Sequence, residues 1–214
     1  MTVHSMPSPG PQVTRDAALT RAGRWKMLLL FLVCATPVIA SYFAYYVVRP
    51  ESRRNYGELI QPLRPIPAEL TGTNALGESI ALTSLKHQWL FVSVADSACD
   101  AQCAKHLYLQ RQLREGLGKD RDRMDWVWLR TGDAALTPEL QAATEKAQVI
   151  HMTEEAVASW LQPVPGYRLS DHLYVVDPMG NWMMRFPPDA EPSRMRRDLS
   201  RLLRASSFWD RPGR

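Results

Sequence analysis

The sequence predicts an α/β protein, a three-layer sandwich behind one N-terminal transmembrane helix. Three observations carry that reading. Met27 to Val48 is an uncharged, mostly apolar run near the N-terminus. From about residue 69, short apolar runs alternate with helix-like stretches, as expected for helices layered on a sheet. Two cysteines, Cys99 and Cys103, follow soon after a mostly apolar strand-like run.

The N-terminal run has the length a bilayer demands, since about 20 apolar residues cross the hydrocarbon core as a helix. A single proline, Pro37, is tolerated there. Trp25 at one end and Tyr42, Tyr45 and Tyr46 near the other fit interfacial aromatic belts. A cleaved signal peptide fits less well: Val38-Ile39-Ala40 resembles a cleavage site, yet the run continues beyond it. The bulky Val33 before Cys34 argues against a lipoprotein signal, and Cys34 reads as a small hydrophobe. Residues 25–48 are therefore expected to be an uncleaved single-pass anchor. Arg15, Arg21, Arg24 and Lys26 precede it and Arg49, Arg53 and Arg54 follow, which weakly favours the N-terminus inside. The tail 1–24 reads as disordered and cytoplasmic. The remainder is expected in the periplasm of a bacterial inner membrane, where disulfide chemistry is possible.

Charge supports this division. The 214-residue chain carries a formal +4, but 1–54 holds seven basic residues against two acidic ones, leaving 19 and 20 in 55–214. The excess flanks the span, so nucleic-acid binding is not expected.

Residues 49–68 hold Pro50, Pro62, Pro65 and Pro67 and read as an extended Pro-rich linker. The domain, 69–206, begins with a small hairpin over Leu70 to Leu85, marked by Gly72 and Gly77. Trp89 to Ala95 is apolar but for Ser93, as in a strand buried on both faces. A helix follows the cysteines, with Leu109, Leu113 and Leu117 as its packed stripe. Met124 to Leu129 is a strand. Thr137-Pro138-Glu139 opens a helix to Ala147. Val149 to Met152 is a short strand, and Thr153 caps a helix to Leu161. Leu173 to Val176 runs through the turn Asp177-Pro178-Met179-Gly180-Asn181 into a partner, Trp182 to Phe186. Glu191 to Ser206 closes the domain as a helix, with Met195, Leu199, Leu202 and Leu203 inward and Arg194, Arg196, Arg197, Arg201 and Arg204 in solvent. Residues 207–214 are a tail.

Helical residues four apart share a face with Cβ atoms about 5–6 Å apart. That separation suits either a disulfide or two thiolates on a soft ion such as Cu(I). A helix N-terminus favours the thiolate. With three cysteines in the chain, a disulfide-stapled scaffold is excluded and one functional pair is expected. The pair's place after the first central strand makes the thioredoxin-like sandwich the best match.

These residues resemble the Sco/SenC family, membrane-anchored, copper-binding thioredoxin-like proteins that serve cytochrome c oxidase assembly. The resemblance rests on the buried strand, the CxxxC spacing of Cys99 and Cys103, the long first helix, and Leu173-Tyr174-Val175-Val176-Asp177-Pro178-Met179-Gly180. It implies a copper site of Cys99, Cys103 and His172, and a copper-bearing oxidase subunit or another periplasmic thiol protein as partner. It departs from the family at Asp100 and Ala104, where proline is usual, and His172 lies about three residues nearer the Asp-Pro turn than the family's histidine. Two other functions fit the residues. One is a metal-free thiol–disulfide reductase, with Cys99 attacking and Cys103 resolving; the other is a non-catalytic assembly scaffold.

The remaining candidates have simple structural readings. His172 would otherwise hydrogen-bond a strand end. His106 falls on the packed helix stripe, and His87 and His151 lack partners in sequence. Met183 and Met184 alternate in a strand, which puts at least one in the core. Asp100, between the thiols, would oppose thiolate formation. No Gly-rich phosphate loop, serine elbow or zinc helix occurs.

Overall fold

The computed structural model describes residues 13–48 and 55–208. It comprises two compact units, 1–53 and 54–214, taken separately.

The first unit is helix α1, Val13–Phe43, ending in a wider turn at Ala44–Val48. Its segment Gly23–Tyr46 has a mean hydropathy of 2.2 and buries none of its residues, so it is long and apolar enough to cross a membrane. The disordered tail is corrected for residues 13–24, which continue the same helix; residues 1–12 lie outside the described residues. The reason is local. Asp16-Ala17-Ala18-Leu19 and Arg21-Ala22 are mostly good helix formers, with no proline among them.

The second unit is one eight-stranded sheet: β1 Glu58–Pro65, β2 Thr71–Asn74, β3 Ser79–Ala81, β4 Trp89–Asp96, β5 Met124–Thr131, β6 Gln148–His151, β7 Leu173–Val176 and β8 Asn181–Arg185. Its spatial order is β1-β8-β7-β4-β5-β6-β2-β3. β4, β5 and β6 run parallel, and all other pairings are antiparallel. The helices are α2 Ala101–Gly116, α3 Pro138–Ala143, α4 Glu154–Ala158 and α5 Pro192–Ala205.

β4 is central because its side chains find apolar partners on both faces. Leu90, Val92 and Val94 pack with Val157, Trp160, Leu161 and Trp182 on one side. Trp89 and Phe91 pack with Leu113 of α2, with Leu117 just beyond it, and with Met195, Leu199 and Leu203 of α5 on the other. Each such fully buried side chain contributes roughly 1.5–3 kcal/mol. The three-layer thioredoxin-like sandwich follows. α3 stops at Ala143 rather than Ala147, where the Thr144 hydroxyl donates to Leu140 O (2.7 Å).

The Pro-rich linker is corrected as well. Residues 58–65 form β1, antiparallel to β8, with a register shift between Leu59 and Arg64. Proline is tolerated on an edge strand, where one row of N–H groups needs no partner. Side chains hold β1 in place. Glu58 accepts from Arg185 (2.6 Å), Arg64 stacks over Trp182, and the buried Asp198 carboxylate accepts from Tyr56 N and Gly57 N (2.6 and 2.9 Å). Residues 49–54 of the expected linker lie outside the described residues, as do 209–214 of the C-terminal tail.

Candidate functional site

The site is built where β4 ends. Ser97 is buried, and its backbone N–H donates to Thr131 O (2.7 Å) while its hydroxyl sits 2.9 and 2.6 Å from the carbonyls of Thr131 and Gly132. The Asp96 carboxylate accepts from Ala98 N (2.8 Å), and its carbonyl accepts from Cys99 N (3.0 Å). The loop from β4 to α2 is thus bolted to the end of β5. Gly132 makes this close approach possible: its φ is +74°, and a Cβ there would collide with the Asp96 carboxylate.

Cys99 and Cys103 form a disulfide, with Cα atoms 5.0 Å apart. The route differs from the expected helical pair. Only Cys103 lies in α2; Cys99 precedes the helix cap with φ +45°, a left-handed conformation uncommon outside glycine. Asp100 is the cap, its Oδ1 accepting from Cys103 N (2.9 Å). Capping accounts for a carboxylate between two sulfurs, because an N-cap needs a short acceptor side chain. The sulfurs are unequal. Cys103 is 3 % exposed and packs with Ala95, Leu107 and Trp128, whereas Cys99 is half-buried against the same cluster.

The 3-10 turn Leu169–Asp171 leads into His172, which is fully buried. Both ring nitrogens are used. Nδ1 lies 2.9 Å from Phe186 O, and a carbonyl only accepts, so Nδ1 carries the hydrogen. Nε2 then accepts from Val164 N (3.2 Å). Burial lowers the pKa, partly offset by the bond to the Phe186 carbonyl, so the ring is a neutral brace. It ties β7 and β8 to the 162–168 loop.

His106 is buried too. Its Nε2 is 2.9 Å from the Gln102 amide nitrogen, which only donates, so Nδ1 is the protonated position. Burial, then Lys105, lowers its pKa to about 4. The packed stripe of α2 reads Cys103, His106, Leu107, Gln110 and Leu113, continued by Leu117 beyond the helix; Leu109, expected on it, is half-buried. Met184 is in the core and Met183 packs against it. His151 faces Asp133 (3.2 Å), and His87 occupies a left-handed turn before β4.

The structure therefore joins Cys99 to Cys103 and leaves His172 committed elsewhere. Among the described residues no group of three metal-capable side chains occurs. Copper does not fit this arrangement, because the implied third ligand has no free nitrogen. Sequence reading missed Asp96, Ser97 and Gly132, which hold the cysteine loop. A polar Asp-Ser pair abruptly ending an apolar strand was the available signal.

Residues 89–206 match the family model described as transmembrane-like, thioredoxin-like, C-terminal domain. No curated protein matches the chain. Solved structures from several organisms share the fold, among them the following three. Apo Sco1 from Thermus thermophilus is 18 % identical with a TM-score of 0.52, covering 71 % of this chain and 96 % of its own. Copper-bound ScoI from Arabidopsis thaliana is 12 % identical at 0.53, with coverages of 65 % and 99 %. A DsbF homologue from Corynebacterium diphtheriae is 15 % identical at 0.51, with coverages of 71 % and 95 %. At these identities the likeness concerns the fold.

Proposed function

The chain belongs to the family of transmembrane-like, thioredoxin-like C-terminal domains, and on that premise we propose that it is a membrane-tethered thiol–disulfide exchange protein. The observation that carries this is the asymmetry of the pair, Cys99 half-buried and Cys103 fully buried. In the reduced protein the Cys99 thiolate, at the start of α2, attacks a partner disulfide. A Cys99–partner bond forms and one partner sulfur leaves as thiolate. Cys103 then attacks the Cys99 sulfur, releasing the second partner thiolate and regenerating the disulfide seen here. The partner gains two electrons, which a separate dithiol reductant must restore to the pair. The anchor holds the domain at the periplasmic face of a bacterial inner membrane, so a membrane-bound partner meets it at high effective concentration.

Cys103→Ser should trap a mixed disulfide on Cys99, seen by non-reducing electrophoresis and mass spectrometry, while Cys99→Ser should trap none. Equal trapping by both variants, or by neither, refutes the assignment of roles.

Copper delivery to the copper-bearing subunit of cytochrome c oxidase is the second reading, favoured by the CxxxC pair on a fold shared with copper-bound ScoI. The same subunit's cysteines suit the exchange reading as clients. The two readings part at His172, whose ring must surrender the Val164 bond to bind metal. Cu(I) titration of the reduced full chain should give equal affinity for wild type and His172→Ala. Tight stoichiometric binding that weakens selectively in a folded His172→Ala would restore the copper reading.

A further inference from the structure

A cleft of about 690 Å³ opens on the α2 face of the sheet, near the carboxyl ends of β5 and β6. That volume falls within the roughly 300–1,000 Å³ of ligand clefts, and the carboxyl ends of parallel strands are where such sites gather. It adjoins the disulfide through shared walls: Leu136 and Val149 line it and also pack on the apolar cluster that holds Cys103. Its floor includes the register partners Arg130, His151 and Thr73 on three adjacent strands, and Ala95, which packs in the Cys103 cluster, is the β4 partner of Arg130.

Most polar groups around the cleft are spent within the chain. Asn74 bonds Glu78, Gln141 bonds Leu136 O, Thr144 bonds Leu140 O and His151 faces Asp133. Arg130 is different. Its guanidinium makes one long bond, to Ala134 O (3.3 Å), and its Nε is buried without a partner. Among the described residues no carboxylate pairs with it, although Glu145 lies on the rim. A guanidinium presents five donors in a fork that matches a carboxylate, and leaving it largely unpaired beside an apolar wall is costly.

Resting on the exchange reading, we propose that this cleft docks the partner's cysteine-bearing segment, with an aspartate or glutamate of that segment on Arg130 and apolar side chains against Leu136 and Val149. The cleft thereby selects acidic clients and presents their sulfur to Cys99. The substrate class is a protein segment with a carboxylate a few residues from its cysteine.

The test uses the full chain in detergent micelles and reduced peptides, each with one cysteine and one glutamate at varied spacing, beside glutamine counterparts. At the fitting spacing the glutamate peptide should attack the Cys99–Cys103 disulfide roughly tenfold faster than its counterpart, the factor expected of one charge-assisted contact. Arg130→Gln should abolish that difference without changing the rate with dithiothreitol. Equal rates at every spacing, or a preference that survives Arg130→Gln, overturn the proposal. Saturable binding of free glutamate with the same Arg130 dependence would make the cleft a small-molecule site and overturn the segment assignment. A chain inert to peptides and dithiothreitol alike refutes the exchange reading. Anisotropy of labelled peptides on Cys99→Ser/Cys103→Ser then still decides docking: an Arg130-dependent glutamate preference upholds the cleft, and equal binding overturns it.

Discussion

Acidification should destabilise the domain through His106. The ring is 5 % exposed, and its pKa is held at about 4 against the ordinary 6.5, first by burial and then by Lys105. A histidine with a depressed folded pKa contributes its full stability above the unfolded value. That stability drains as pH falls from 6.5 towards 4, because the unfolded chain takes up the proton first. At pH 4.5 the loss from this group is about 2.5 kcal/mol, at roughly 1.4 kcal/mol per pH unit. His172, also lowered by burial, adds a loss of the same sign. Urea unfolding of the full chain in micelles, followed by tryptophan fluorescence from pH 7.5 to 4.5, reads the effect. His106→Leu should remove about 2.5 kcal/mol of the pH dependence and leave the part due to His172. A His106→Leu profile parallel to wild type would refute the reasoning, since the neutral buried imidazole would then not be the group that resists protonation.

Other outcomes follow from the cysteine loop and the edge strand. Asp100→Ala removes the cap of α2 and should cost about 1 kcal/mol in urea unfolding, with far-UV dichroism unchanged. Gly132→Val forces a side chain into the Asp96 carboxylate from a left-handed backbone, and should cost roughly 1–3 kcal/mol. Because Asp96 holds Ala98 and Cys99, the same variant should change the rate of disulfide reduction by dithiothreitol; an unchanged rate would mean that the bolt to β5 does not position Cys99. Asp198→Ala strands the N–H groups of Tyr56 and Gly57 and should cost roughly 2 kcal/mol, read as faster amide exchange in β1.

The central sheet was legible because a strand buried on both faces leaves a run that is apolar almost throughout, and Trp89 to Ala95 is such a run with only Ser93 polar. The thioredoxin-like order followed from where Cys99 and Cys103 stand relative to that run. β1 was not legible, because Pro62 and Pro65 argue locally for an extended linker. What makes those residues a strand is remote: Arg185 meeting Glu58, and Asp198 meeting Tyr56 and Gly57, more than 100 positions along the chain. Burial at β8 and α5 overrides a local signal that cannot register it. The α2 stripe failed for a related reason. Leucine spacing marks Leu109, Leu113 and Leu117, but the buried positions include His106, whose Nε2 meets Gln102, and Gln110, whose amide nitrogen donates to the Phe91 and Val127 carbonyls.

His172 shows most directly why a site cannot be read from residue types alone. Two cysteines and a histidine are a plausible Cu(I) set, and their order along the chain suits one. Coordination also requires a nitrogen with a free lone pair, and that depends on which hydrogen bonds the ring makes. Here the Phe186 carbonyl fixes the hydrogen on Nδ1 and the Val164 N–H takes the lone pair of Nε2, so the imidazole has no donor left for a metal. The Cys99–Cys103 pair needs no third partner to exchange disulfides, only one reachable sulfur, one sheltered sulfur and a loop that holds them in register. Ser97, Asp96 and Asp100 supply that loop. The chemistry the pair can perform is therefore set less by the cysteines than by the backbone bonds on either side of them.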